Sequence, residues 1–178
     1  MSACGTSLKH YKGIEASLAQ EDFDGTIQKI KEARQKGAYD KKDRVLYYME
    51  LGLAYHYAGL YIESNEAFEL AEQSIQELYT ASVSNIGASY LSNDNTLPYR
   101  GEAYEDVYIS FFRELNFVHI GDIDSAFVEI RRINEKLDYL KLRLEEEIKA
   151  YDDILEDNKK FDKKAQQALL EKRGELEL

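Results

Sequence analysis

The chain has 178 residues, enough for one domain that buries a sizeable core. A hydrophobic fraction of 44% and a charged fraction of 32% argue against a disordered chain, and no apolar run is long enough for a membrane-spanning helix. The net charge of −11 disfavours nucleic acid as a partner, because phosphate binding needs clustered Lys and Arg.

The spacing of apolar residues predicts an all-α chain with six helices up to residue 156. In chain order these helices cover residues 8–19, 23–36, 45–58, 61–91, 102–120 and 125–156. Gly37, Gly59 and Gly121 follow the ends of three helices, where a left-handed residue is common. A loop over 92–101 contains Pro98, the single proline of the chain.

The last long helix carries an apolar stripe with spacings of 4-3-4-4-3-4, a coiled-coil-like seam with one stutter. The stripe consists of Ile133, Leu137, Leu140, Leu144, Ile148, Tyr151 and Leu155. Self-association through residues 133–155 is therefore an expectation. We predict three parts: a tether over 1–7, a helical domain over 8–156, and a charged C-terminal helix over 157–178.

Residues 45–76 contain a pattern of aromatic, small and turn residues at fixed spacing. It consists of Tyr48, Leu51, Gly52, Tyr55, Gly59, Ser64, Phe68 and Ala71. This pattern closely resembles the tetratricopeptide (TPR) repeat, in which a glycine of the first helix lets the second helix pack close. A degenerate copy of its second half lies 38 residues earlier, with Thr26 at the position of Ser64. Another degenerate copy lies 62 residues later, with Gly121 at the position of Gly59 and Ala126 at that of Ser64. The sequence therefore predicts a TPR-like α-α superhelix.

The chain opens with Ser2 and Ala3 before Cys4, the only cysteine. Small residues before a cysteine resemble the end of a bacterial lipoprotein signal, where the cysteine is acylated. The charged and apolar parts of such a signal do not precede Cys4, and we expect them in an upstream segment that was removed or lost. Lipid on Cys4 would then anchor the natural protein to a membrane.

Five segments together resemble a family of bacterial TPR-like lipoproteins with no established biochemical activity, and the likeness covers most of residues 4–137. The segments are Cys4, 63–68, 93–99, 102–105 and 128–134. The resemblance implies a helical-repeat fold, a location in the bacterial cell envelope facing the periplasm, and a natural protein that continues past the long helix. The chain itself is expected to be soluble.

No catalytic, metal-binding or cofactor-binding constellation is found in the sequence. His10, His56 and His119 lie too far apart along the chain for a helical metal-ligand pair, and no Gly-x-Ser-x-Gly turn or phosphate loop occurs. We therefore expect no enzyme activity and no cofactor.

Two candidate sites remain. The first is a partner groove on the first helix of the clear repeat, lined by Leu46, Met49, Leu53 and His56, although the long C-terminal helix could fill it. The second centres on Arg131 and Arg132, which can pair with Glu129, Glu105 or Asp94. This group would form an ionic clamp that pins the 92–103 loop, or a site for an anion or carboxylate.

Three functional hypotheses follow from these patterns. The favoured one is a non-catalytic protein–protein interaction scaffold, lipid-anchored, that binds another envelope protein or peptide through an exposed apolar surface. The alternative is a carrier of a small apolar or anionic ligand, which requires an enclosed pocket among Tyr104, Tyr108 and Phe112 with the arginine pair 131–132 at its mouth. An enzyme is the least favoured.

Overall fold

The computed structural model describes residues 9–84, 99 and 101–157. This part of the chain is all-helical, as the sequence predicted, and contains no β-strand. The helices are α1 (Lys9–Leu18), α2 (Phe23–Gln35), α3 (Arg44–Tyr57), α4 (Tyr61–Ser84), α5 (Ala103–Ile120) and α6 (Ile123–Asp157), with a 3-10 turn over Lys41–Asp43. Cys4, the tail over 158–178 and nearly all of the predicted 92–101 loop lie outside the described residues.

Successive helices pack against each other from α1 to α5, and α3 also contacts α5. One core cluster lies between the first two helices and α3. It includes Ile14, Ile27, Ile30, Tyr39 and Leu51. A second cluster lies between α3, α4 and α5 and includes Val45, Met49, Phe68 and Ile109. Complete burial of a side chain such as Phe68 stabilises the fold by about 1.5–3 kcal/mol.

Three helix hairpins close with the same turn. Each turn contains one residue in the left-handed conformation. The amide of the next residue donates a hydrogen bond to the carbonyl five residues before it, so that this carbonyl at the helix end has a partner. The left-handed residues are Glu21, Gly59 and Gly121. The bonds run from the amides of Asp22, Leu60 and Asp122 to the carbonyls of Ser17, Tyr55 and Phe117.

The start of α6 lies two residues earlier than the sequence predicted. The Asp122 carboxylate accepts hydrogen bonds from the amide and the hydroxyl of Ser125, and these bonds lower the pKa of Asp122. An aspartate at this position satisfies free amides of the first turn, so the helix begins directly after it at Ile123.

The chain divides into two compact units, Met1–Ile133 and Asn134–Leu178. In the second unit, Leu137 and Leu144 of the predicted apolar stripe are exposed along α6. On the same stretch, the Tyr139 hydroxyl accepts a hydrogen bond of 3.3 Å from Arg143. Self-association through residues 133–155 stays a prediction.

Candidate interaction surface

Helix α5 begins and ends with well-defined caps. The Glu105 carboxylate accepts a 2.6 Å hydrogen bond from the amide of Glu102, and Gly121 ends the helix at φ 82°. Between these caps, Ile109, Ser110 and Asn116 are completely buried against the rest of the first unit. One face of α5 is therefore committed to the core.

A buried polar network anchors the C-terminal half of this face. The Asn116 amide donates to the Ser64 hydroxyl at 2.8 Å and to the Asn65 side-chain oxygen at 2.9 Å. Its own oxygen lies 2.6 Å from Nδ1 of His56. Because an amide oxygen only accepts, Nδ1 of His56 carries the proton in this contact. Ser64 in turn donates to the Gly52 carbonyl at 2.8 Å, so the network joins α3, α4 and α5.

Two carboxylates and two guanidinium groups form a second anchor, which we call the ionic ring. Glu72 of α4 contacts Arg113 at 3.2 Å and Arg132 at 3.1 Å. Glu129 of α6 contacts the same two arginines at 3.2 Å each. Both carboxylates are buried, and the four charges balance. The ring therefore ties α4, α5 and α6 together without leaving a net buried charge.

The guanidinium groups of the ionic ring pair with carboxylates of the same chain, and among their buried nitrogen atoms in the described part of the chain only Nε of Arg113 has no hydrogen-bond partner. Partial burial lowers the pKa of Arg132, but the attraction of Glu72 and Glu129 outweighs this effect and raises the pKa above its ordinary value. Only 12% of the Arg113 side chain is exposed, and it already contacts both carboxylates. These guanidinium groups are thus occupied by the protein's own carboxylates.

The structure brings together only part of the group predicted as an ionic clamp. Glu129 and Arg132 belong to the ring, whereas Arg131 is exposed and Asp94 lies outside the described residues. Glu105 was wrongly placed in the clamp. As the third residue of α5 it accepts from the Glu102 amide and from the Tyr99 hydroxyl instead.

Sequence reasoning missed two members of the ring, Glu72 and Arg113. Arg113 shares the buried face of α5 with Ile109 and Asn116 at helical spacing, and a charge on such a face needs a buried partner. Glu72 directly follows Ala71, a buried position of the repeat pattern. The 3.6-residue period could have marked Glu72, which lies four residues after Phe68 of the same pattern, but not Arg113, because the sequence does not show which face of α5 is buried.

The residues predicted to line a partner groove do not form an open groove. Met49 is buried in the second core cluster, and Leu53 packs against the same cluster as Phe112 of α5. His56 is held by Asn116 of α5, and Leu46 packs against the first core cluster. The groove prediction is corrected, because α5 packs against α3 around Leu53 and His56.

The face of α5 opposite its anchors is apolar and exposed. We call it the α5 stripe, which consists of Tyr104, Tyr108, Phe111, Leu115 and Val118. Their spacing of 4-3-4-3 places them in one row along the helix. Tyr104 is 58% exposed and Tyr108 53%, and Phe111 and Val118 are also exposed.

A second row begins α6. The exposed fractions of Ile123 and Phe127 are 50% and 55%, and Ile130 is also exposed. α5 and α6 approach less closely than α3 and α4 do within the described residues. Glu114 stands seven residues before the turn glycine of this hairpin, at the place where Gly52 permits the close packing of α3 and α4. The two rows together are named the α5–α6 apolar surface.

The charges around this surface are mainly acidic. Between residues 102 and 133 there are seven acidic and three basic side chains, and two of the basic ones lie in the ionic ring. The exposed acidic residues at the ends of the two helices are Glu102, Asp122 and Asp124, and Glu114 flanks the α5 stripe. Arg131 is the one basic side chain of this stretch outside the ring.

Comparison with protein-family models, with curated proteins and with solved structures finds no match for the chain. Within the part that the structure describes, no three His, Cys, Asp or Glu side chains are grouped as metal ligands. No helix among the described residues has both the length and the apolar character to cross a membrane.

Proposed function

We propose that the chain is a non-catalytic, TPR-like scaffold of the bacterial envelope that binds another protein through the α5–α6 apolar surface. The observation that carries this proposal is the exposure of two apolar rows on a hairpin held by buried polar anchors. Large exposed apolar patches on an otherwise charged protein mark interaction sites.

The repeated hairpins support the TPR-like part of the proposal. In each hairpin, the residue directly after the left-handed residue accepts, at its carbonyl, a hydrogen bond from the amide four residues further along. The side chain of the residue that donates this amide is buried in all three hairpins. These residues are Thr26, Ser64 and Ala126, the positions aligned by the sequence pattern. The same backbone geometry in the same register is what a helical repeat requires.

The membrane anchor in this proposal rests on the sequence around Cys4. Two acyl chains on a cysteine bury enough CH₂ groups for stable anchoring at about 0.8 kcal/mol each. In this arrangement the lipid holds the N-terminal end at the membrane, while the apolar surface of the third hairpin faces a partner in the periplasm.

A carrier function finds less support. It needs Tyr104, Tyr108 and Phe112 around one enclosed pocket, yet the two tyrosines are exposed on the face of α5 opposite its buried residues. It also needs free guanidinium groups at the mouth, whereas Arg132 is paired with two carboxylates.

The test uses the chain behind a lipoprotein signal, expressed in the bacterium that encodes it and cross-linked in cells. The wild type should enter the membrane fraction with one cross-linked envelope protein. Cys4→Ala should leave the membrane fraction, and Phe111→Ser should stay there but lose the cross-linked protein. Ile62→Ser is the matched control, because Ile62 is 61% exposed on α4, outside the surface. Retention of the same cross-link by Phe111→Ser would refute the scaffold role of this surface.

A further inference from the structure

The α5–α6 apolar surface has a composition that selects one class of partner. We propose that its occupant is an amphipathic helix of another protein whose apolar face is flanked by Lys and Arg. This inference rests on the scaffold function proposed above and adds the chemistry of the partner to it.

The geometry of the α5 stripe favours a helical occupant. The first and last of its five residues are 14 positions apart on the helix, about 21 Å at 1.5 Å per residue. The side chains of this row offer no amides or carbonyls to an incoming backbone. An extended peptide would therefore bury its own unpaired backbone groups there, whereas a helix satisfies them internally. About four turns of a partner helix match the length of the stripe.

The size of the surface suits a specific complex. Its seven most exposed members, four on α5 and three on α6, leave on the order of 700 Å² uncovered, close to the roughly 800 Å² that each partner contributes to a standard interface. Tyr and Phe, which are enriched at such interfaces, supply four of these seven side chains.

The charges decide between a basic helix and a second copy of this chain. Glu102 and Glu114 accompany the α5 stripe, and Asp122 and Asp124 stand where α6 begins. A second copy would bring the same carboxylates against these and carries a net charge of −11. Lys and Arg beside an apolar face would instead meet opposite charges at this rim, which speeds association and orients the partner.

The binding test uses a labelled 18-residue peptide, designed with Leu at i, i+4, i+7, i+11 and i+14 and with Lys on both flanks. Its matched control keeps the leucines and carries Glu on the flanks. Anisotropy titration of the full chain should show binding of the Lys peptide and at least tenfold weaker binding of the Glu peptide. Equal affinity for the two peptides would overturn the proposal.

Protein variants locate the binding. Phe111→Ser and Tyr108→Ser, tested separately, should each lower the affinity for the Lys peptide at least tenfold. Ile62→Ser on α4 should change this affinity less than twofold. Glu114→Lys should weaken it three- to tenfold and reduce its dependence on salt. Circular dichroism and the melting temperature of each variant verify that the fold is intact. Equal losses of affinity in Ile62→Ser and in the surface variants would refute binding of the peptide at the α5–α6 apolar surface.

Sedimentation of the chain without peptide tests the competing occupant. A dimer that Phe111→Ser converts to a monomer would show that a second copy takes this surface and would overturn the proposal. Failure of the Lys peptide, together with loss of the envelope cross-link in Phe111→Ser, would refute only the basic helix. Retention of that cross-link would refute the scaffold function itself.

Discussion

The ring of Phe68 in α4 lies against the backbone of Gly52 in α3. A methyl group added at Gly52 would lie 2.8 Å from Cδ1 and Cε1 of that ring, closer than carbon atoms pack. Both residues lie within the second hairpin, and Phe68 is only 1% exposed. The absence of a side chain at residue 52 therefore sets the distance between the two helices.

Gly52→Ala should lower the free energy of unfolding by about 1–3 kcal/mol, because the added methyl group overpacks the contact with Phe68. Helix propensity alone predicts the opposite sign, a gain of up to about 1 kcal/mol. Gly13→Ala is the matched control, since its nearest neighbour would be Cδ of Lys29 at 3.9 Å, and it should stabilise the chain. Urea unfolding measures both. Stabilisation by Gly52→Ala would contradict the close approach.

Asn116→Leu should destabilise the chain by about 1–3 kcal/mol for each group left unpaired, chiefly Nδ1 of His56 and the side-chain oxygen of Asn65, whereas Ser64 still donates to Gly52. Asn134→Leu places the same change at an exposed position of α6 and should have a much smaller effect. Unfolding in urea, followed by circular dichroism, compares the two variants. Equal effects would show that the buried network contributes nothing specific.

Glu129→Ala should lower the free energy of unfolding by about 3–5 kcal/mol. The variant leaves Arg113 and Arg132 with a single carboxylate in the ring, that of Glu72. Glu32→Ala removes an exposed partner of Lys36 and should change the unfolding free energy little. Calorimetry in low and high salt gives the two melting temperatures. The loss from Glu129→Ala should persist in high salt, and a loss that salt abolishes would contradict a buried ring.

Stability should depend on pH through Glu50 of α3, which accepts hydrogen bonds from Tyr11 and Tyr39. Burial raises the pKa of Glu50 above the value of 4.5 that it has when exposed, and the two hydroxyl groups offset only part of this effect. The folded state thus favours the protonated carboxyl group. This preference stabilises the folded state fully below pH 4.5, and the stabilisation is lost as the pH rises through the pKa of Glu50 in the folded state.

The matched variant Glu50→Gln isolates this effect. The unfolding free energy of the wild type, measured relative to Glu50→Gln, should fall as the pH rises from 4 to 7. Denaturant titrations at each pH give this difference. A difference that stays constant or rises over this range would contradict the raised pKa.

Much of the helical framework could be predicted from local patterns. The six helices and the glycines after α2, α3 and α5 follow from apolar spacing and from the left-handed turns that end helices. The contact of Gly52 with Phe68 lies where the repeat pattern predicts close packing. The partner groove was wrong, because apolar positions on α3 do not reveal which later helix will cover them.

The sequence by itself determined the helices, their turns and the acidic balance, because these depend on residues close together in the chain or on composition alone. Only the tertiary structure decided which face of α5 is buried. Asn116 meets residues of α3 and α4, and Arg113 meets Glu72 and Glu129 from two other helices. These partners are up to 60 positions apart, so no local period reports them. Their pairing turns the tyrosines and Phe111 of α5 outward, and it is this choice that exposes the apolar surface.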